Sequence, residues 1–305
     1  MKLQFIVNPA SKTGKGIKIW EEVEKALKSS EIDYDVFYTK KVGDATKLAE
    51  KLTKGEGEHV IVALGGDGTV NEVVNGIVRI EDTILGYIPT GSGNDLAGGL
   101  KLATDPMTSI ERILEGKSHL RVNVGVAETE GVKRRFVVSC GMGWDAAICH
   151  EVLGSKMKWA LNRIKLGKFS YVAIALKQIL AFKKQPIEVS IDGKEPLKFE
   201  KAFFGAVMNC PYEGGRVKMC PSASWSDDLL DLCLVDSVSK LKLLIVLPFA
   251  YLGWHKYFKG VHLKRGEKIT LRTKKALPIH SDGENFGYHK EVTMWLEKEK
   301  LRMIG

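Results

Sequence analysis

No stretch of this 305-residue chain is apolar for long enough to cross a bilayer. The longest, 243–253, is short and contains Pro248. The N-terminus runs straight into a strand-like segment, 3–7, so no signal peptide is expected. Cysteine is sparse: Cys140, Cys149, Cys210, Cys220 and Cys233 form no C-x-x-C pair, and histidines do not cluster near them. Zinc and dithiol redox chemistry are disfavoured, and reduced, mostly buried thiols in a cytosolic protein are expected. There is no internal repeat, low-complexity tract or long linker. No nucleic-acid-binding module is recognisable, so nucleic acid is not an expected partner.

What the chain does have is positive charge, unevenly placed. The formal net charge is +9. Segment 156–184 holds eight basic residues and no acidic one, and 256–275 holds eight against Glu267 alone. The rest of the chain is therefore net negative. Positive charge gathered in the second half suits an anionic surface. In 156–174, Trp159, Ile164, Phe169, Tyr171 and Ile174 lie among Lys156, Lys158, Arg163, Lys165 and Lys168. That mixture fits a basic, partly apolar face for docking on a membrane, and core packing of the same apolar positions is the competing reading.

The first 120 residues alternate strand and helix. Strands are expected at 3–8, 34–39, 59–64 and 84–88. Ile17, Trp20, Val23 and Leu27 recur at helical spacing, and Asp44 is placed to cap a helix with Ala45, Leu48, Ala49 and Leu52 inward. Repeated β-α-β units imply an α/β domain with a doubly wound parallel sheet, which binds ligands beyond the C-terminal ends of its strands. Near residue 120 the pattern becomes a run of strands: 121–127, 135–140, 187–191, 199–208, 230–235, 268–272 and 292–296. Asp192-Gly193 is a hairpin signal between two of them. An antiparallel β-sandwich over 121–305 with a helical insertion is expected; whether the last strand returns to the first domain is open.

Three polar segments leave the ends of first-domain strands. One is Gly65-Gly66-Asp67-Gly68-Thr69-Val70-Asn71-Glu72, which opens into a helix carrying Val70, Val73, Val74 and Ile77. A glycine turn at a helix N-terminus suits phosphate, because unpaired N–H groups point at it and no Cβ intervenes. Asp67 would repel a bare phosphate, which points to a metal ion or a reacting hydroxyl beside it. The second is Asn8-Pro9-Ala10-Ser11-Lys12-Thr13-Gly14-Lys15-Gly16, and the third is Thr90-Gly91-Ser92-Gly93-Asn94-Asp95-Leu96. Alone, each reads equally as a surface loop or a helix cap. Asp282-Gly283-Glu284, taken alone, reads as a solvated turn. Ser226-Asp227-Asp228-Leu229-Leu230-Asp231 reads as an acidic turn or a hard oxygen site for magnesium.

Together these segments resemble the diacylglycerol kinase catalytic family, in its small bacterial soluble branch. The glycine turn is shared with NAD kinases; Asn71-Glu72-Val73-Val74-Asn75-Gly76 and Gly91-Ser92-Gly93-Asn94-Asp95 point to the lipid branch. The resemblance covers nearly the whole chain. It implies an ATP-dependent lipid kinase of two domains, acting in the cleft between them. Asn8, Pro9, Ala10, Ser11, Lys12, Thr39, Gly66, Asp67, Gly68, Thr69, Val70, Asn71, Glu72 and Ser92 would line the ATP site. Asp67 and Glu284 would be catalytic, Glu284 as general base toward the lipid hydroxyl. A structural magnesium would be held by Asp227 and the carbonyls of Ser224 and Leu229, or by Asp228 after a one-residue shift. Pro221, Ala223, Asp227 and Asp231 fall on the family's magnesium pattern; Ser226 and Asp228 depart from it, the latter replacing a glycine. Arg216, after Gly214-Gly215, stands where a third glycine is common.

The expected cofactors are therefore ATP and magnesium. The expected partner is a membrane lipid, met by peripheral contact at the inner face of the membrane, with a homodimer as an option. Two other readings stay open: an NAD kinase-like phosphotransferase and a nucleotide-binding regulator without catalysis.

Overall fold

The computed structural model describes residues 2–30, 32–116, 119–154, 174 and 176–305. Short apolar runs bounded by polar turns build the first sheet. Its strands are β1 (Leu3–Val7), β2 (Tyr34–Tyr38), β3 (His59–Gly65), β4 (Thr83–Pro89), β5 (Leu120–Val122) and the last strand of the chain, β15 (Leu301–Ile304). The order is β2-β1-β3-β4-β15-β5. All neighbours are parallel except β15 and β5. β3 and β4 are buried almost throughout, as a sheet covered on both faces requires.

Six helices connect these strands: α1 (Ser11–Gly14), α2 (Gly16–Ser29), α3 (Asp44–Thr53), α4 (Asp67–Gly76), α5 (Asp95–Leu100) and α6 (Pro106–Glu115). Trp20, Val23 and Leu27 of α2 are buried as their spacing predicts, joined by Ile19, while Ile17 is half-buried. They pack on Phe5, Val62 and Ile88 in one apolar core. Asp44 departs from expectation. Helix α3 starts at Asp44 itself after Gly43 at φ 86°. The Asp44 carboxylate accepts from the N–H groups of Lys40 and Lys41, so it closes the preceding turn instead of capping the helix. Asp105 does cap α6, accepting from Thr108 N–H at 2.9 Å.

The second unit is a nine-stranded antiparallel sheet: β6 (Gly125–Thr129), β7 (Val132–Phe136), β8 (Ser139–Gly143), β9 (Gln185–Ile191), β10 (Leu197–Met208), β11 (Leu230–Asp236), β12 (Val261–Gly266), β13 (Lys268–Ser281) and β14 (Glu284–Leu296). The long strands β10 and β13 each pair with β8 at one end and β9 at the other, so one continuous sheet encloses a core of Phe136, Val207, Leu232, Leu271 and Met294. Asp192 and Gly193 lie at φ 53° and 71°, the left-handed pair of a tight turn that Lys194 N–H closes on Ile191 O, within the five-residue connection from β9 to β10. Among the described residues the unit also carries α7 (Trp144–Gly154), α8 (Lys240–Leu252), helical residues at 176–181 and a 3-10 turn at Trp254–Tyr257.

The two compact units are Met1–Val124 with Glu297–Gly305, and Gly125–Leu296. The run 121–127, read as one strand, is two: β5 joins the first sheet and β6 the second. The final strand β15 lies in the first sheet beside β4. Segment 135–140 also splits, because the backbone amides of 137–139 leave the ladder for the Asp282 carboxylate. Trp159, Ile164, Phe169, Tyr171 and their neighbouring basic residues lie outside the described residues; Ile174 is buried. Among the described residues, no helix is long and apolar enough to cross a membrane.

Candidate active site

In the first unit, the polar ends of β1, β3 and β4 are tied to one another. Asn8 Nδ2 donates to Thr69 Oγ1 at 3.0 Å, and Asn8 Oδ1 accepts from Ala10 N–H. Thr90 Oγ1 donates to Ser11 Oγ at 2.8 Å. Thr39 N–H donates to Val7 O, which holds the end of β2 beside β1. Gly66 and Gly91 meet backbone to backbone. A Cβ on Gly66 would lie 3.2 Å from the Gly91 Cα, and one on Gly91 would lie 2.9 Å from the Gly66 Cα and 2.7 Å from Asn94 Oδ1. No side chain fits there without movement, so the pairing of glycine loops is a packing requirement.

The Asp67 carboxylate, at the first position of α4, reaches across to the next strand end. Its Oδ2 accepts from Asp95 N–H at 3.2 Å and its Oδ1 from Leu96 N–H at 3.3 Å. It thus binds the start of α5, which holds the loop 90–95 against the glycine turn. The fully buried phenol of Tyr87 has its pKa pushed well above the usual value, first by burial and then by Asp67 and Asp95. Asp95 and Tyr87 therefore belong to the electrostatic surroundings of Asp67; only the position of Asp95 at a strand end hinted at this.

The remaining expected nucleotide contacts divide by burial. Asn8, Pro9, Ser11, Thr39, Gly66, Asp67, Gly68 and Glu72 are half-buried, and Ala10, Lys12 and Ser92 are exposed. Thr69, Val70 and Asn71 are buried. Val70 packs inward, so it can offer a ligand only its backbone. Glu72 faces α3, where Oε2 accepts from Ala45 N–H at 3.2 Å.

Glu284 belongs to the second unit. It is half-buried at the start of β14, paired with Ser281 across a two-residue turn. Asp282 and Gly283 of that turn have φ 50° and 79°. The Asp282 carboxylate accepts from the N–H groups of Val137, Val138 and Ser139 at 2.8–2.9 Å. It is a structural anchor, not a solvated acid. The other side of the turn rests on His280, whose Nδ1 accepts from Gly283 N–H at 3.1 Å.

His280 Nε2 lies 3.0 Å from Glu213 Oε1 and 3.3 Å from Asp145 Oδ2. Ser139 Oγ also donates to Glu213 Oε1, at 2.9 Å. Burial raises the Asp145 pKa, opposed by the hydrogen bond from His280. Burial works against the imidazolium, yet the surrounding Cys149, Glu213 and Asp145 raise the His280 pKa well above the usual value. The N–H of Gly283, meanwhile, needs the Nδ1 lone pair. The proton on His280 and the placement of the Glu284 turn are therefore linked. Among the described residues, Asp145, Glu213 and His280 are also a group whose ligand atoms lie within 4.8 Å of one another. Here the ring nitrogen itself joins the two carboxylates. Sequence reasoning missed this cluster because its members are scattered along the chain.

The expected magnesium site does not fit a resident cation. Arg265 Nη2 is ion-paired with Asp227 Oδ2, and it lies 3.1 Å from Asp231 Oδ2. Arg265 Nε donates to the same Asp231 oxygen at 3.1 Å. Asp231 Oδ1 accepts from Ser222, and Asp227 Oδ1 accepts from Leu229 N–H. A guanidinium thus supplies the positive charge at the carboxylate proposed to ligate the metal together with the Ser224 and Leu229 carbonyls. Asp228, in the family's glycine position, keeps a left-handed φ of 62°, and Arg216 one of 71°. The backbone shape that glycine serves elsewhere is retained here by other residues.

Two family matches divide the chain at the same change of architecture. The diacylglycerol kinase catalytic domain matches residues 2–126, and the YegS C-terminal NAD kinase beta sandwich-like domain matches 138–302. The chain thus carries a diacylglycerol kinase catalytic domain followed by a YegS C-terminal domain, the second spanning more than half of it. A relative named diacylglycerol kinase, from Staphylococcus saprophyticus, is 28% identical over 288 residues, 94% of this chain and 90% of that protein. A structure titled as a diacylglycerol kinase from Bacillus anthracis has a TM-score of 0.71 at 21% identity, covering 99% of this chain and 96% of the other. An NAD kinase from Archaeoglobus fulgidus, solved in complex with ATP, has a TM-score of 0.54 at 14% identity, covering 100% of this chain and 94% of the other. At those identities the two structures establish the shared fold. The family membership rests on the domain matches.

Proposed function

We propose that this chain is an ATP-dependent lipid kinase that transfers the γ-phosphate to the hydroxyl of diacylglycerol or a related membrane lipid alcohol. The observation that carries the reading is the convergence of three strand ends, through Asn8–Thr69, Ser11–Thr90 and Asp67–Asp95, on a glycine turn at the start of α4. Family membership supports the kinase class. Phosphoryl transfer asks a protein mainly for positioning and charge compensation. In this reading the loops at Asn8–Lys12, Gly66–Glu72 and Ser92 hold the nucleotide phosphates, with ATP entering as its magnesium salt. Asp67 orients the phosphate-bearing loops through Asp95 and Leu96. Glu284 takes the proton from the acceptor hydroxyl as its oxygen attacks phosphorus, a role that typically contributes ~10²–10⁴-fold in rate. Asp282 and His280 hold the turn from which Glu284 projects. The working location is the cytoplasmic face of the membrane, where the acceptor lies.

The test is radiolabel transfer from γ-labelled ATP to a panel of lipid alcohols in mixed micelles, with NAD as a soluble acceptor in parallel. Labelled phospholipid and unlabelled NAD are expected. Labelling of NAD alone would replace this reading with the NAD kinase one. ATP binding without labelling of any acceptor would support a non-catalytic regulator.

A further inference from the structure

We propose that the outer face of α8 and the turn after it form a docking surface for an anionic membrane. Helix α8 buries Leu243, Val246 and Ala250 on one side. A surface helix should carry polar residues on the other. Here Leu241, Ile245, Pro248 and Leu252 recur at three- and four-residue spacing and face outward. Leu241 is 70% exposed, and Ile245 and Leu252 are more than half exposed. Gly253, at φ 74°, ends the helix and turns the chain into Trp254 and Tyr257, which are 53% and 77% exposed. The helix is therefore apolar on both sides, and the outward side continues into exposed aromatics. Isolated apolar side chains on a surface are ordinary, but a contiguous stripe of this kind marks an interaction site.

Charge selects the partner. From 237 to 266 the sequence has no aspartate or glutamate and carries Lys240, Lys242, Lys256, Lys259, Lys264 and Arg265. Arg265 is held by Asp227 and Asp231, which leaves the lysines to set the sign of the face. A second copy of the chain would bring like charges together, which disfavours self-association through this face. Anionic headgroups neutralise them. Tryptophan and tyrosine favour the headgroup level, and an apolar stripe can sink into the acyl boundary beneath it. The inference gives the lipid-kinase reading its contact with the bilayer and depends on that reading for its purpose.

The experiment is co-sedimentation of the full chain, without nucleotide, with vesicles of phosphatidylcholine alone or mixed equally with phosphatidylglycerol. Wild type, Leu241→Ser/Ile245→Ser, Trp254→Ser and Lys256→Gln/Lys259→Gln are compared, with folding checked by circular dichroism. Wild type should bind the anionic vesicles and release them as salt is raised. Each variant should bind about tenfold more weakly or worse. Turnover of a water-soluble short-chain diglyceride should stay at the wild-type level in every variant. Variants that sediment like wild type would overturn the proposal, as would salt-insensitive binding to neutral vesicles. A wild-type dimer that Leu241→Ser/Ile245→Ser dissociates, with vesicle binding unchanged, would also overturn it and make the face an interface between copies. Failure of the soluble-acceptor assay with vesicle binding intact would count against the kinase reading and leave the docking face standing.

Discussion

Replacing Arg265 with alanine removes the guanidinium that lies between the Asp227 and Asp231 carboxylates. Asp231 faces Arg265 directly across the β11–β12 ladder, and its side chain is only 4% exposed. Asp227 and Arg265 are about a third exposed. Breaking a buried pair costs about 3–5 kcal/mol, and an exposed pair contributes about 0–1 kcal/mol. One buried and one half-open partner place the loss at about 2 kcal/mol, read from urea unfolding. The pH dependence has a definite sign. Burial already raises the Asp231 pKa against the pull of Arg265, and losing Arg265 raises it further. A carboxyl with a raised folded pKa binds its proton more tightly in the folded state. Its destabilising effect therefore appears as pH rises through the unfolded and then the folded pKa. The deficit of Arg265→Ala should accordingly shrink as pH falls toward 4. Magnesium gives the second readout. Wild-type stability should be indifferent to magnesium or chelator, because Arg265 supplies the cation. In the variant the two freed carboxylates should gain stability from millimolar magnesium. A wild type that loses stability in chelator, or an Arg265→Ala as stable as wild type, would refute this reasoning.

Asp282→Ala leaves three backbone N–H groups without their acceptor, and should cost about 3 kcal/mol or more in urea unfolding, with Asp282→Asn less severe. Asp105→Ala should cost about 1 kcal/mol through loss of the α6 cap. The hydrogen bonds from Thr108 hold the Asp105 pKa below the usual value, so its contribution is present above the unfolded carboxyl pKa and lost as pH falls through the folded one. Acid titration of the difference between wild type and Asp105→Ala checks that sign. Gly91→Ala places a Cβ 2.9 Å from the Gly66 Cα and should abolish ATP binding measured by calorimetry while the second unit keeps its protection in hydrogen exchange.

The fold was legible where physics is local. The helical period put Trp20, Val23 and Leu27 inward, and Asp192-Gly193 marked its hairpin. The split of 121–127 was not legible, because two short apolar runs with the same alternation join different sheets. Asp282 illustrates the limit at the site. Its turn could be read from Asp-Gly between strand-like segments, but its partners lie about 145 residues earlier in sequence. The same holds for Glu213 and Asp145 around His280. For Asp227, a local acidic pattern in the turn before β11 pointed to a metal, and the deciding residue, Arg265, lies 38 positions away on β12. Exposed apolar residues on α8 were hidden for a related reason: composition alone does not separate the buried side of such a helix from the outward one.

The most direct measurement is phosphate transfer from ATP to diacylglycerol in mixed micelles by wild type and Glu284→Gln, with ATP affinity measured in parallel. The predicted result is wild-type turnover, a loss of at least about 10²-fold in kcat for the variant, and unchanged ATP affinity. Equal turnover by the two proteins, or a wild type that binds ATP and phosphorylates no lipid alcohol, would contradict the account.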